Sequence, residues 1–348
     1  MRVERRVYNY LDEIAIALEG PREMLDLCHK NIDEVPAFRE SYGEVNIVRG
    51  SPVTIVRDSS LPYASIKDTP INGNIRWDYF RYGAITRSYL TTGLNQYTTE
   101  YHVENDCDGP LRCFFKIYLD SPAAEHKCLI HGTSLAVGDT GLLIAGPCWS
   151  GKTSTSFKLI DTFGAALIAE GTSLISHNEH GGLNAFYIPK PVYARFSLIH
   201  RLPKMARLLD PASWDVEQYF DSDALYRIIK AKRFDLDAGL RVSRSKLAEI
   251  MGMNIRRSTE INRVVFTRYA AGDPVIVKKL SPEQIVHHLR ANEFVKRIDF
   301  GELEHQKEEK PPFNSQIGLT WTNNVQGSLL TFNCLDDITP EILEELII

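Results

Sequence analysis

Several common signatures are missing from this sequence. No apolar run approaches the roughly 20 residues that span a bilayer, so no membrane partner is expected. The opening stretch, MRVERRVYNYLDEIAIALEG, has basic residues and then a mixed segment broken by Asp12 and Glu13. It lacks the continuous apolar core of a secretory signal. The six cysteines (Cys28, Cys107, Cys113, Cys128, Cys148 and Cys334) are scattered, and no pair has C-x-x-C spacing. That excludes the usual zinc and redox patterns and suits free thiols in a cytoplasmic protein. Basic charge is not in excess either: the formal net charge is −5, so no general nucleic-acid footprint is expected. Internal repeats and low-complexity segments are absent.

What is present is an ordinary globular composition. The chain has 348 residues, 43% hydrophobic and 24% charged. That is long enough for one large domain or two ordinary ones with a substantial core. The chain is organised around one stretch, Cys128 to Ile175. At its centre Gly146, Pro147, Cys148, Trp149, Ser150, Gly151, Lys152 and Thr153 fit the phosphate-binding pattern G-x-x-x-x-G-K-[ST], and Ser154 follows. The context agrees. Gly141 to Ala145 reads as a buried strand, and Thr153 to Thr162 reads as a helix with Phe157 and Ile160 three apart. In such a loop the glycines let the chain wrap tightly, so that backbone N–H groups point at phosphate oxygens. The helix N-terminus favours an anion. Lys152 is placed to reach the β- and γ-phosphates of a nucleotide, and the Thr153 hydroxyl to ligate Mg²⁺. Cys148, inside the loop, reads as filler rather than nucleophile.

Residues 1–120 read as a β-rich region. Tyr8 to Leu18 is expected as a strand and Pro21 to Ile32 as a short helix. Short strands follow at Val45–Val48, Val53–Val56, Ile75–Tyr79, Gln96–Val103 and Leu111–Leu119, with turn-forming residues between them. Trp77, Tyr79, Phe80, Tyr82, Tyr89, Tyr97, Tyr101, Phe114, Phe115 and Tyr118 make this part dense in aromatics. They suit a sheet core with cross-strand pairs better than an aromatic substrate groove.

After Asp120 the pattern alternates between strand and helix, and residues 121–300 read as a second domain. Lys127–Ile130, Ser134–Val137 and Ala165–Ala169 are expected strands. The last ends at Glu170, an acidic residue where a second Mg²⁺ contact belongs. A turn through His177, Asn178 and His180 to Gly182 joins two strands, and metal binding by its two histidines is the minor reading. Pro189 and Pro191 force an extended segment that presents Lys190 and Arg195. Both suit solvated surface charge, or cations facing a nucleotide or an anionic substrate. Arg201 to Ala248 reads as charged helices. Ile261–Tyr269 and Val275–Lys279 read as strands, and Ser281 to Gln284 has the form of a capping box. Residues 301–348 read as a polar linker and a tail holding a short strand and the helix around Pro340.

These residues together resemble the HPr kinase/phosphorylase family and its smaller relatives, whose phosphate-loop architecture is shared with phosphoenolpyruvate carboxykinase. The likeness rests on Ile130, His131 and Gly132, the strand GLLIAG, the loop PCWSGKT and the run LIAEGTSLI. It covers Cys128 to Ile175, with a similar layout as far as the helix after Ser281. It implies an α/β fold: a P-loop kinase domain of HPr kinase/PEP carboxykinase type with a mixed sheet, preceded by the β-rich region. It implies an ATP-dependent kinase that uses Mg²⁺ to move the γ-phosphate to a hydroxyl on a peptide, a protein or a small metabolite. Lys152, Thr153 and His131 match the family's loop lysine, metal-binding hydroxyl and active-site histidine. Glu170 matches the first of two carboxylates. A buried structural role for His131 stays open, and so does a homo-oligomer, since members of the family often assemble.

The departures matter. The second carboxylate, the family's general base, falls at Gly171, and Pro147 and Trp149 replace small or polar loop residues. The glycine-rich protein-substrate signature of the bifunctional enzymes is not found. A general base is typically worth about 10²–10⁴ in rate, but phosphoryl transfer depends mostly on positioning and electrostatics. His131 or Glu170 is the candidate replacement base, and Asp139 reads as a turn residue. The alternative function is an ATP-binding regulatory module with weak or no phosphotransferase activity. A hydrolysing GTPase is disfavoured by the lack of an N-K-x-D signature, and the usual hydrolysing classes by the short distance from the loop helix to the strand before Glu170.

Overall fold

A computed structural model describes residues 3–32 except 12, the backbone of the strands between 48 and 101, residues 111, 115, 118 and 119, and then 122–178, 182–209, 239–272, 274–294 and 317–348. The side chains of Trp77, Tyr79, Phe80, Tyr82, Tyr89, Tyr97, Tyr101 and Phe114 lie outside the described part. So do the expected strand residues 45–47, the charged stretch 210–238, His180 and the polar segment 301–316.

Two sheets carry the described chain, which is mixed α/β. The first contains β1 (Val3–Tyr10), β2 (Ile14–Pro21), β3 (Val48–Arg49), β4 (Val53–Arg57), β5 (Thr69–Ile71), β6 (Asn74–Arg81), β7 (Ala84–Thr91) and β8 (Gln96–Tyr101). Its path runs β1-β2-β4-β8-β7-β6-β5, with β3 beside β2. Helix α1 (Arg22–Ile32) follows β2.

The second sheet has ten strands: β9 (Lys127–Ile130), β10 (Gly132–Val137), β11 (Thr140–Ala145), β12 (Ala166–Ala169), β13 (Ser173–His177), β14 (Leu183–Phe186), β17 (Ser258–Tyr269), β18 (Ile276–Leu280), β19 (Glu293–Phe294) and β20 (Gln326–Phe332). A separate pair, β15 (Val192–Arg195) and β16 (Gly239–Val242), lies outside it. The sheet is mostly antiparallel; β17 pairs in parallel with β11 on one side and β20 on the other.

Alternation along β11 explains why its sequence is apolar without interruption. Leu142 and Ile144 belong to one core cluster, and Leu143 and Ala145 to another. A strand covered on both faces has no polar side to show. The first cluster includes Phe157 and Ile160 of α2 (Lys152–Phe163) and Leu330 and Phe332 of β20. Helix α2 stops at Gly164, whose left-handed backbone (φ 65°) lets its N–H donate to Ile160 O at 3.0 Å. The second cluster includes Ile285 and Leu289 of α4 (Pro282–Ala291). The expected capping box starts that helix: Gln284 N donates to Ser281 Oγ at 3.4 Å, and Ser281 N donates to Gln284 Oε1 at 3.0 Å.

Three expectations are corrected. Tyr8 to Leu18 is two strands, because Leu11 turns at φ 56° and Glu13 N donates to Tyr10 O at 3.1 Å. The turn is anchored where Glu13 accepts from Lys127 Nζ at 2.8 Å and from Tyr118 OH at 2.8 Å. Leu111, Phe115, Tyr118 and Leu119 are helical rather than extended, and all four are buried, as one face of a helix requires. Gly239–Val242 is a strand, with Leu240 and Val242 opposite Ala194 and Val192. The strand and helix expected in the tail are present and pack on the body: β20 lies between β17 and β18, and Leu343 and Leu346 of α5 (Pro340–Ile347) join the core that holds Phe157.

The N-terminal hairpin shares a core with the second sheet. Tyr10 is fully buried, packs edge-on to Tyr118 and Tyr187, and donates to Tyr187 O at 2.6 Å. Beneath it lies Arg244, the first residue of α3 (Arg244–Met251). Its guanidinium donates to Ile168 O at 2.6 Å and to Ile188 O at 3.3 Å, and it is 2% exposed. It ties β12 to the segment before β15. Arg244→Leu removes these buried donors and is expected to cost about 3 kcal/mol, the scale of buried carbonyls left unsatisfied. Urea unfolding of the two proteins measures it; an unchanged midpoint would mean that water replaces the guanidinium.

Candidate functional site

The glycine loop connects the end of β11 to the start of α2. Its N-terminal end is tied to His131: Gly146 N donates to His131 O at 3.4 Å, and His131 N donates to Asn292 O at 2.8 Å. Its far end is tied to the sheet. The Ser150 and Thr267 hydroxyls lie 2.8 Å apart in a buried hydrogen bond. Gly151 has φ 94°, and a Cβ there would collide with the Phe332 ring. Any other residue would be strained in backbone and blocked in space.

Within that frame Pro147, Cys148 and Trp149 form the exposed crest. Trp149 holds a left-handed backbone, φ 65°, which is rare for a bulky residue. The Arg195 guanidinium sits 3.6 Å from its ring centroid, a cation–π stack. Lys152 is buried and its Nζ donates to Pro147 O at 2.7 Å, so the ammonium is folded over the loop. Burial, the largest cause, with Arg195 also acting, pushes Lys152 down to about 8, against the pull of Cys148 and Glu170. Thr153 Oγ1 donates to Glu170 Oε1 at 3.1 Å. Glu170, just past the end of β12, is 8% exposed. Ser154 is half-buried in the first turn of α2.

His131 is pushed down to about 3, first by burial and then by the charges of Lys152 and Lys190. It is a neutral imidazole at pH 7. Lys190 stands between two buried prolines, Pro189 and Pro191. Its Nζ lies 3.4 Å from where a Cβ at Gly171 would be. Gly171 has φ 69°, and its N–H donates to Thr133 Oγ1 at 3.3 Å. Lys152, Lys190 and Arg195 thus lie about the loop with Glu170, three cations to one carboxylate, and this balance of formal charge favours an anion.

The structure gathers His131, Lys152, Thr153 and Glu170 around the loop and adds Lys190 and Arg195 from the proline segment. It leaves Asp139 exposed in the β10–β11 turn, at the opposite end of β11. His177 faces another direction: its Nε2 is 3.2 Å from Thr320 O and its ring stacks on Trp321. No cluster of three or more His, Cys, Asp or Glu suited to a metal occurs among the described residues. Sequence reasoning missed Thr267, Phe332 and Arg244. Thr267 left a trace, a hydroxyl in the apolar run of β17; Phe332 and Arg244 left none.

No family model matches the chain, and no curated protein matches it. Among solved structures it matches the Hpr(Ser) kinase/phosphatase from Coxiella burnetii, at 12% identity and a TM-score of 0.29. That match covers 63% of this chain and 93% of the other.

The depressed His131 has a consequence for stability. The unfolded chain takes up this proton near the ordinary value of 6.5, whereas the folded protein resists it until about 3. Between those values the unfolded state binds more protons, so stability falls as pH falls. Thermal melts from pH 6.5 to 4 are expected to drop less steeply for His131→Asn than for the parent. Parallel slopes would show that the imidazole titrates normally.

Proposed function

We propose that this protein is an ATP-dependent kinase that transfers the γ-phosphoryl group to a hydroxyl on a peptide, a protein or a small metabolite, with residues 121–300 as its P-loop domain. The observation that carries this reading is the Thr153 hydroxyl against the Glu170 carboxylate, 3.1 Å apart at the head of α2. Magnesium takes oxygen donors, one or two of them from protein, and completes its shell with phosphate and water oxygens. Hydroxyl plus carboxylate suits it, and Thr153 and Glu170 would hold the ion. Bound there, Mg²⁺ would neutralise charge on the phosphate oxygens during transfer.

The remaining roles follow from the chain's own groups. The loop N–H groups and the start of α2 bind the phosphates. Lys152 leaves Pro147 O for the β- and γ-oxygens, exchanging a carbonyl for a charged partner. The acceptor oxygen attacks the γ-phosphorus, the bond to the β,γ-bridging oxygen breaks, and ADP leaves with that electron pair. The hydroxyl proton passes to His131. A bound triphosphate offsets the charges of Lys152 and Lys190, which together with burial hold the imidazole neutral, so its proton affinity rises when the site is loaded.

Gly171 favours a second reading, a nucleotide-binding regulatory module with little transferase activity. Two measurements separate them. ATP binding, followed by thermal shift with Mg²⁺, is expected to be lost in Lys152→Ala under either reading. Incubation of a cell extract with γ-labelled ATP is expected to label an acceptor only if the protein is a kinase. That labelling is expected to fall by about 10²-fold or more in His131→Ala. Binding without any labelled acceptor would leave the module.

A further inference from the structure

We infer that Tyr269 is the platform on which the base of the nucleotide stacks. This deepens the kinase reading and rests on it, since a base site has meaning only if the glycine loop holds a triphosphate. A run of contacts leads from that loop to one exposed ring. Gly151, at the head of α2, lies so close over the Phe332 ring that a Cβ there would collide with it. Phe332 in turn meets Tyr269, with ring centroids 6.4 Å apart and planes at 88°. Phe332 is buried, whereas Tyr269 is 54% exposed.

The sheet decides on which side of the loop the nucleoside lies. Strands β17 and β20 run parallel to β11, so the carboxyl ends of all three lie together, the place where open α/β sheets bind ligands. Phe266 pairs with Ala145, the last residue of β11, and Thr267 reaches Ser150 in the loop. Tyr269, two residues further on, shows its side chain on the same face as Thr267. It pairs with Phe332 at the end of β20. The groups suited to the transferring phosphate come from the other neighbour of β11. His131 precedes β10, and Glu170 follows β12, which pairs with β10. A triphosphate with its γ-end toward His131 and Glu170 therefore directs its ribose and base toward β17 and β20. Trp149, the exposed ring of the loop itself, is already stacked by Arg195.

The platform is held in place. Ala270 N donates to Phe332 O at 3.0 Å, and Gly272 N donates to Asn333 Oδ1 at 3.2 Å, so the chain just past Tyr269 is bound to the end of β20. A tyrosine ring has two side-chain torsions, and ordering it on a ligand costs little entropy. An aromatic ring left in water gains from being covered. Every nucleobase has a π-face, so one tyrosine serves without reading the hydrogen-bond pattern of the base. The ligand group is thus the aromatic heterocycle of the nucleotide, bound apart from the phosphates that the loop takes.

The test titrates the full chain calorimetrically with ATP and with inorganic tripolyphosphate, each in Mg²⁺. Tripolyphosphate offers the phosphates without the nucleoside. The parent is expected to bind ATP about tenfold or more tightly than tripolyphosphate. Tyr269→Ala is expected to weaken ATP binding about tenfold, the scale of one base–aromatic stack. It is expected to leave tripolyphosphate affinity unchanged, which also shows that the variant keeps its loop. Tyr269→Phe is expected to bind ATP as the parent does, because the ring and not the hydroxyl is the contact. Equal affinities for the two ligands in the parent overturn the proposal. So does an unaltered ATP affinity in Tyr269→Ala, a loss shared by both ligands, or a loss that Tyr269→Phe does not repair. In each of those cases phosphate binding by the loop stands. Failure of the parent to bind either ligand overturns the kinase reading as well.

Discussion

The register of β11 between its two neighbours decides where every group of the site lies. On one side Gly132 of β10 pairs with Ala145, which brings His131 against Gly146. On the other side Phe266 of β17 pairs with Ala145, which brings Thr267 under Ser150. The far edge of β10 pairs with β12, Ser134 opposite Ala169, so Glu170 and Gly171 emerge beside the same end of the sheet. A one-residue slip in any of these pairings would turn its side chains to the opposite face. Both faces are buried under separate cores, which makes such a slip costly and the site's geometry a consequence of packing.

That dependence explains what the sequence disclosed. The glycine loop, its strand and its helix are contiguous and follow a fixed residue pattern, so Gly146 to Thr153 could be read directly. The cap at Ser281 was legible for the same reason: its donors and acceptors lie within four residues. Phe332 and Arg244 act across long separations, and nothing in their neighbourhoods marks them. Lys190 was visible as a cation near two prolines, but its position beside Gly171 is set by contacts outside its own segment, such as Arg244 joining Ile188 O to Ile168 O. The misread segments failed on period. Leu111, Phe115, Tyr118 and Leu119 fit a helical stripe, which a region full of short strands obscured. Tyr8 to Leu18 looked continuous because a two-strand hairpin with a tight turn keeps the alternation on both sides.

The site also carries liabilities that packing elsewhere offsets. Lys152 loses solvation beside another cation, His131 is held neutral by burial and positive charge, and Trp149 keeps a backbone that a bulky residue seldom adopts. Sites of this kind concentrate strain and unfavourable charge. The Arg195 stack on Trp149 and the Ser150–Thr267 bond tie the loop to the segments beside it. A polyanion bound there, as the proposed kinase reading requires, would relieve the same terms: it would give Lys152 a counter-charge, lower the repulsion felt by His131, and satisfy the loop N–H groups.

The glycine at position 171 and the lysine at position 190 belong to one arrangement. Were a carboxylate to stand at 171, its side chain would start 3.4 Å from the Lys190 ammonium. A carboxylate that close to a cation is held ionised and its proton affinity falls, which spoils it as a general base. A base at 171 and a fixed lysine at 190 work against each other, so a sequence with the lysine gains nothing from the carboxylate.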